Sequence, residues 1–297
     1  MNKYELSYIA GYFDGDGCFY IGKNIIKDRT NPKFRQQIII TSTDKKFIDY
    51  LVTNFKGTVQ TSKKSAATAF HKPVNYFSMR KKSGVDFTNQ IIDYLVEKKQ
   101  EAELFLEFAQ SKERDDLIIK MNQTKELSNL VNKEMKHEFE PSKNSIKPNK
   151  QDFAYLAGFI DAECSLGIQK YRAQNKPNYL YKMILQCNNT KFPTIKWLLE
   201  RFGGQIHFVE RRSGNILHRD QLAWRLSSNS LANILNKILP FLKHKKPVCK
   251  ELLEFQKTIL PKYGQRKSEE FKSSYKSVLE TREKIVHNIH ILNKKGI

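Results

Sequence analysis

The chain has 297 residues, 39% of them hydrophobic, and carries 52 Lys and Arg against 31 Asp and Glu, a formal net charge of +21. It is too apolar for a disordered chain, yet no apolar run approaches the roughly 20 residues of a membrane-spanning helix. The basic excess, spread along the whole chain, points to a polyanionic partner, with nucleic acid ahead of an anionic membrane surface.

The four cysteines, Cys18, Cys164, Cys187 and Cys249, lie far apart and show no C-x-x-C spacing. They predict neither a zinc site nor a disulfide framework, and reduced thiols point to an interior compartment. The first residues, "MNKYELSY", hold no apolar signal core and no Arg/Ser-rich presequence. The expectation is therefore an organelle, mitochondrion or chloroplast, in which the protein is also made. Bacterial or archaeal cytoplasm is the alternative.

In chain order, "YIAGYFDGDGCF" (Tyr8–Phe19) begins as a helix and ends in two acids and two glycines. "KFRQQIIITS" (Lys33–Ser42) reads as a strand. "DKKFIDYLVTNF" (Asp44–Phe55) reads as a helix, with Phe47, Ile48, Leu51, Val52 and Phe55 at helical spacing. "GTVQTS" and "NYFSMRKK" read as a hairpin, and helices containing "NQIIDYLV" and "KQEAELFLEFAQ" follow. The stretch from Lys120 to Gln151 is polar and ends in prolines and lysines, as a linker with some helix does.

The series then repeats. "YLAGFIDAECSL" (Tyr155–Leu166) aligns without a gap on the first motif, so that Asp16 falls on Glu163. "YLYKMILQCNN" reads as a strand, and "PTIKWLLERF" as a helix with Pro193 in its first turn. "GGQIHFVERRSGN" and "DQLAWRLSS" read as a second hairpin, and "LANILNKILPFL" and "KPVCKELLEFQKTIL" as closing helices. The last stretch, Gln265 to Ile297, is charged, with Val278, Leu279, Ile285, Ile289 and Leu292 patterned as an amphipathic helix. The fold class is α+β, with two αββαββα units over residues 1–112 and 151–264, a linker over 113–150 and a basic helical extension over 265–297. Two copies in one chain suggest a pseudo-twofold monomer, the fused form of a homodimer.

Glycine inside a helix costs about 1 kcal/mol relative to alanine, so Gly11 and Gly158 need a reason. Close approach of the two motif helices across the pseudo-twofold axis supplies one. It would also bring Asp16 and Glu163 together at the helix ends. Two neighbouring carboxylates repel, and a divalent cation reverses that cost. In a basic protein the pair reads as metal-assisted phosphodiester cleavage. Asp14 and Asp161, two residues earlier, read as structural groups serving the helix end or the turn.

At these residues the sequence resembles the LAGLIDADG homing endonucleases: "IAGYFDGDG" (Ile9–Gly17) and "LAGFIDAEC" (Leu156–Cys164) are similar to the two signature motifs of the single-chain form. The resemblance implies motif helices at the interface between the units and antiparallel sheets forming a DNA-binding saddle. It implies Mg²⁺ at Asp16 and Glu163, with Gly15 and Ala162 assigned to the same metal site. Mn²⁺ would substitute, and Ca²⁺ would bind without supporting cleavage. Lys98 and Lys245, or a neighbour among Lys99, Lys243 and Lys246, would stand near the metals. Ser42 and Asn189 would orient water. Such enzymes cut both strands across the minor groove, leave short 3′ overhangs and are intron-encoded. Glu163 in place of the second aspartate and Cys164 in place of the last glycine depart from the pattern. Cys164 also lacks the freedom in φ that Gly17 has. Unequal cutting of the two strands is the consequence expected.

DNA reading would fall to the sheet faces turned to the groove. Arg35, Gln37, Lys63, Lys64 and Arg80 are the candidates in the first unit, and Lys182, Gln186, Arg211, Arg212 and Arg225 in the second. The basic loops Lys23–Lys33 and Gln169–Asn178 would grip phosphates. The leading function is a site-specific double-strand DNA endonuclease acting as a monomer on duplex DNA, with no membrane partner. An RNA maturase assisting splicing of its own group I intron RNA is the second reading. A non-cleaving DNA-binding regulator of the same fold is the third.

Overall fold

In the computed structural model, residues 1–24, 33–62, 73–127, 146–172, 179–210, 220–259 and 269–295 are described. The first unit runs α1 (Lys3–Asp16), β1 (Gly17–Asn24), β2 (Lys33–Ser42), α2 (Lys45–Asn54), β3 (Thr58–Thr61), β4 (Asn75–Arg80) and α3 (Lys82–Ile91). It closes with a 3₁₀ turn (Ile92–Tyr94), α4 (Lys99–Gln110) and α5 (Arg114–Leu127). The second runs α6 (Lys150–Glu163), β5 (Cys164–Arg172), β6 (Tyr179–Asn189), α7 (Phe192–Phe202), β7 (Gln205–Val209), β8 (Gln221–Ser227), α8 (Ser228–Ile238), α9 (Lys246–Lys257) and α10 (Glu269–Lys295). Each unit holds one antiparallel four-stranded sheet, in the orders β1-β2-β4-β3 and β5-β6-β8-β7. The fold is α+β, as expected.

Both motif helices start with the same device. The Asn2 side chain accepts from the backbone amides of Tyr4 and Glu5 at 3.0 Å each, and the Glu5 carboxylate accepts from the Asn2 backbone amide at 2.9 Å. Asn149 and Asp152 repeat this box in α6. Each helix then passes directly into a strand. Gly17 is extended at φ −91° and Cys164 at φ −97°, so the glycine's freedom in φ is not used there. A Cβ on Gly17 would instead strike the Phe13 ring at 2.2 Å. The second copy has Ile160 in place of Phe13 and accommodates Cys164.

Most predicted elements stand where the sequence places them, with three differences. Val52 is 47% exposed and leaves the buried stripe of α2 to Phe47, Ile48 and Leu51. The "NQIIDYLV" helix starts earlier, at Lys82, and tightens into the 3₁₀ turn after Ile91. Cys164 and Cys187 face each other in register across β5 and β6 and are joined as a disulfide, against the expectation of free thiols. Strand register pairs two cysteines 23 residues apart, which their spacing does not reveal. Cys18 and Cys249 are free.

The repeat also reaches further than a gapless alignment shows. From α1 to α4 the copies stand 147 residues apart (163 minus 16), and α4 corresponds to α9 end for end. In unit one, α5 lies along the edge strand β1, where Lys23 pairs with Asp115 and Lys125 donates to the Phe19 carbonyl. In unit two, α10 lies along β5, where Lys170 pairs with Glu283 and Asn293 donates to the Leu166 carbonyl. Both comparisons set α10 at an offset of 168 (283 minus 115, and 293 minus 125). Buried Leu117 and Met121 then fall on buried Ile285 and Ile289. The stretches read as linker and tail thus contribute equivalent helices covering the sheet edges.

Candidate active site

The interface is built on backbone contact. A Cβ on Gly11 would lie 2.0 Å from the Tyr155 carbonyl oxygen, and one on Gly158 would lie 1.9 Å from that of Tyr8. Ala10 and Ala157 are fully buried beside them. At the helix ends a Cβ on Gly15 would meet Ala162 Cβ at 2.5 Å and Glu163 Cγ at 2.8 Å. Asp16 and Glu163 are therefore neighbours across the axis. Burial pushes the Asp16 carboxyl up to about 6, with Lys98 and Lys245 pulling it down. Glu163 is pushed up to about 7 by burial and then by the Asp16 charge. Glu163 keeps an exposed flank through which solvent tempers that push.

Asp14 and Asp161 hold the lysines. The Asp14 carboxyl accepts from the amides of Val96, Glu97 and Lys98 at 2.8–3.0 Å, and Asp161 accepts from those of Lys243, His244 and Lys245 at 2.7–3.0 Å. Each also receives a tyrosine hydroxyl from the opposite motif helix, Tyr155 to Asp14 at 2.6 Å and Tyr8 to Asp161 at 2.8 Å. Lys98 and Lys245 are thereby placed at the C-terminal ends of α1 and α6, where the last carbonyls lack helical partners and only those of Phe13 and Ile160 still accept from the cap amides of Gly17 and Cys164. The Lys98 ammonium donates to the Phe13 carbonyl at 3.1 Å, the Gly15 carbonyl at 3.4 Å and the Asp14 carbonyl. The Lys245 ammonium donates to the carbonyls of Ile160 at 2.6 Å and Asp161 at 2.9 Å. Burial lowers the Lys245 pKa, against the charges of Asp161, Asp16 and Glu163.

A cleft of about 300 Å³ opens beside Asp16, lined by Tyr12, Thr41, Ser42, Ala162, His244 and Lys245 among others. Ser42 accepts the Tyr12 hydroxyl at 2.9 Å and the Asp44 amide at 3.0 Å. Its counterpart Asn189 faces different company. Its amide donates to Glu97 at 2.9 Å, and its oxygen accepts from the Lys191 amide at 2.7 Å. The sequence reading missed the interface groups Tyr8, Tyr155, Asp44, Glu97, Lys191 and His244. The 147-residue offset was the signal that could have paired them.

Strand register puts Arg35, Gln37 and Arg80 on the sheet face turned away from the core residues Phe19, Ile38 and Phe77. Lys182, Gln186 and Arg225 lie on the corresponding face of the second sheet. Arg35 donates to the Gln37 side chain, at 2.9 Å from Nε, and Arg225 to the Gln186 side chain at 2.7 Å. Tyr20, Gln60 and Tyr76 share the first face, and Gln205 and His207 the second, none of them singled out from sequence; Gln169, read as the start of a phosphate-gripping loop, lies in β5 on the second face. Lys63, Lys64, Arg211 and Arg212 lie outside the described residues, as does most of both basic loops.

No family model matches the chain, and no curated protein is similar to it at a significant level. Solved structures are similar over nearly its whole length. The I-SmaMI LAGLIDADG homing endonuclease bound to cleaved DNA aligns with TM-score 0.62 at 16% identity, covering 100% of this chain and 97% of that one. I-LtrWI bound to target DNA aligns at 0.60 and 19%, and the meganuclease I-CpaMI bound to uncleaved DNA at 0.61 and 13%, each covering 95% of this chain and 98% of the other. The chain has the LAGLIDADG homing endonuclease fold. Within that fold, the paired glycines, the two acids at the helix ends and the two carbonyl-bound lysines form one pseudo-twofold constellation centred on the α1–α6 contact.

Proposed function

We propose that the protein is a site-specific double-strand DNA endonuclease that hydrolyses phosphodiesters as a monomer, with divalent metal held by Asp16 and Glu163. The observation that carries this reading is the meeting of those two carboxyls between two sheets in a chain of net charge +21. The donor set fits a hard cation. Burial raises both carboxyls, and the Asp16 charge raises Glu163 further; Mg²⁺ takes one or two carboxylates together with waters and phosphate oxygens. Waters and phosphate oxygens would complete the coordination of an ion held by these two carboxylates. When bound, such an ion neutralises phosphate charge and lowers the pKa of a coordinated water. Lys98 and Lys245 hold positive charge beside the reacting phosphates. Ser42 and Asn189 orient water, Ser42 from the wall of the cleft beside Asp16. Arg35, Arg80, Lys182, Gln186 and Arg225 contact the duplex from the sheet faces, while Gln37, expected as a further contact, is buried and holds the Arg35 guanidinium instead. Glu163 and Asp16 differ by a methylene and stand among different neighbours, so the two strands are cut at unequal rates.

The test is cleavage of a randomised duplex library with Mg²⁺, with Ca²⁺ and with EDTA, by the wild type and by Asp16→Asn and Glu163→Gln. Discrete cuts with Mg²⁺ alone, lost in both variants, are expected. DNA binding without cuts in any divalent metal would refute the nuclease and leave the maturase or regulator.

A further inference from the structure

Two contacts between an acid and a base cross the interface at pseudo-equivalent places, a lysine ion pair at one and a histidine contact, charged when the imidazole is protonated, at the other. Beside Asp16, Asp44 of the first unit meets the Nδ1 of His244 of the second at 3.0 Å. Beside Glu163, Lys191 of the second unit meets Glu97 of the first at 3.3 Å and Glu101 at 3.2 Å. The 147-residue offset sets Asp44 on Lys191 and Glu97 on His244. The two contacts are therefore the same contact with its polarity reversed. In both, the first unit supplies the acid and the second the base.

The central bonds and close approaches of the α1–α6 contact are indifferent to which unit meets which. Tyr8 to Asp161 and Tyr155 to Asp14 are one bond made twice, and Gly11 and Gly158 are one close approach made twice. A first unit packed on another first unit would keep all of these. It would, however, set Asp44 against Glu97 at both ends. A second unit packed on another second unit would set Lys191 against His244, and Lys191 would lose both carboxylates. These groups are well enclosed, with side-chain exposures of 14% and 17% for Asp44 and His244 and 6% and 12% for Glu97 and Lys191. Like charges there are poorly screened. The partners also set each other's charge. Burial alone would raise the Asp44 carboxyl, yet the His244 contact holds it below the ordinary value. Burial disfavours the Lys191 ammonium, yet Glu97 and Glu101 hold its pKa above normal.

We propose that Asp44, Glu97, Lys191 and His244 form a charge code that lets the first unit's motif face accept a second unit and reject a copy of itself. The code requires one Asp16 and one Glu163 in every assembled centre. It gives the fused chain a means of excluding pairings between like units of neighbouring molecules, which glycine packing alone would permit.

The full-length chain tests this by exchange. In Lys191→Asp with His244→Glu, acid faces acid at both contacts. Thermal unfolding should then fall by about 10 °C, because two enclosed pairs have become repulsive. Raising salt from about 0.1 M to about 1 M should raise the melting temperature of this variant while lowering that of the wild type. Adding Asp44→Lys, Glu97→Lys and Glu101→Gln restores opposite charge at both places, leaves no carboxylate facing position 191, and should recover at least half of the loss. A two-residue variant melting within about 2 °C of the wild type, or no recovery in the five-residue variant, would overturn the proposal. If the two-residue variant does not fold, the five-residue variant decides alone: its folding as a monomer supports the code, and its failure refutes it.

Discussion

The Asp16 carboxyl stores a cost that removing its charge should release. Its ordinary pKa of 3.8 is pushed up to about 6 by burial. At about 1.4 kcal/mol per pH unit, holding it ionised at neutral pH costs roughly 3 kcal/mol. Asp16 keeps some contact with solvent, and halving for screening leaves about 1.5 kcal/mol. Asp16→Asn keeps the shape and removes the charge. In EDTA at about pH 7.5 the variant should melt roughly 3 °C above the wild type. The sign follows from linkage. A carboxyl whose folded pKa is raised costs nothing below its unfolded pKa, near 4. The cost grows as pH rises from about 4 to about 6 and is full above that. The advantage of the variant should therefore shrink towards pH 4. Added Mg²⁺ should stabilise the wild type alone and close the gap at pH 7.5. Differential scanning calorimetry across pH, with and without metal, reads all of this. A variant melting at or below the wild type in EDTA at pH 7.5 would refute the reasoning.

The interface offers sharper perturbations. Gly11→Ala or Gly158→Ala drives a methyl into a carbonyl of the facing helix and should cost about 3 kcal/mol or more, seen as a large fall in melting temperature; a change within about 2 °C would contradict the close approach. Tyr155→Phe leaves Asp14 short of its 2.6 Å hydroxyl donor and should cost roughly 1.5–3 kcal/mol in urea unfolding, with no loss counting against the pairing. Lys81 and Ser228, equivalent residues where a strand turns into a helix, have φ of 52° and 47°; glycine at either should raise stability by about 1 kcal/mol in the same assay, and a fall would show the strain is absent. Deleting residues 269–297 bares the edge strand β5 and the surface covered by Ile285 and Ile289. Light scattering should report self-association, and a monodisperse truncated monomer would contradict the edge-covering role.

The fold was legible because the chain states it twice. One helix ending in acids is ambiguous, but the same helix followed by the same strands and hairpin restricts the answer to a paired unit. The glycines supplied the interface, since Gly11 and Gly158 have no reason to sit in a helix except the backbone facing them. The placement of Asp16 beside Glu163 followed from those two steps. What surrounds them did not. No periodicity shows that Asp14 reaches the amides of residues 96–98, because that bond spans more than 80 residues and depends on how the chain returns after α3. Glu97 and His244 looked like members of lysine-rich turns. Their partners Lys191 and Asp44 sit at the N-terminal ends of other helices, where sequence offers only a capping role.

The helices α5 and α10 were hidden by a different cause. Their register is internally consistent, Asp115 on Glu283 and Lys125 on Asn293, but the offset is 21 residues longer than in the rest of the repeat (168 minus 147). An insertion between α9 and the equivalent part of α10 accounts for the difference, and a gapless comparison breaks there. The contacts that preserve the equivalence need few particular side chains: an opposite charge for Lys23 or Lys170, a donor for a strand carbonyl, and two apolar residues one turn apart. Lysine and asparagine serve equally as the donor, so little identity survives at positions under the same physical demand. The same tolerance explains how the surroundings of Asp16 and Glu163 diverged. The backbone approach at Gly11 and Gly158 admits no alternative, whereas Asp44–His244 and Lys191–Glu97 satisfy one requirement, an acid against a base across the interface, in two opposite ways.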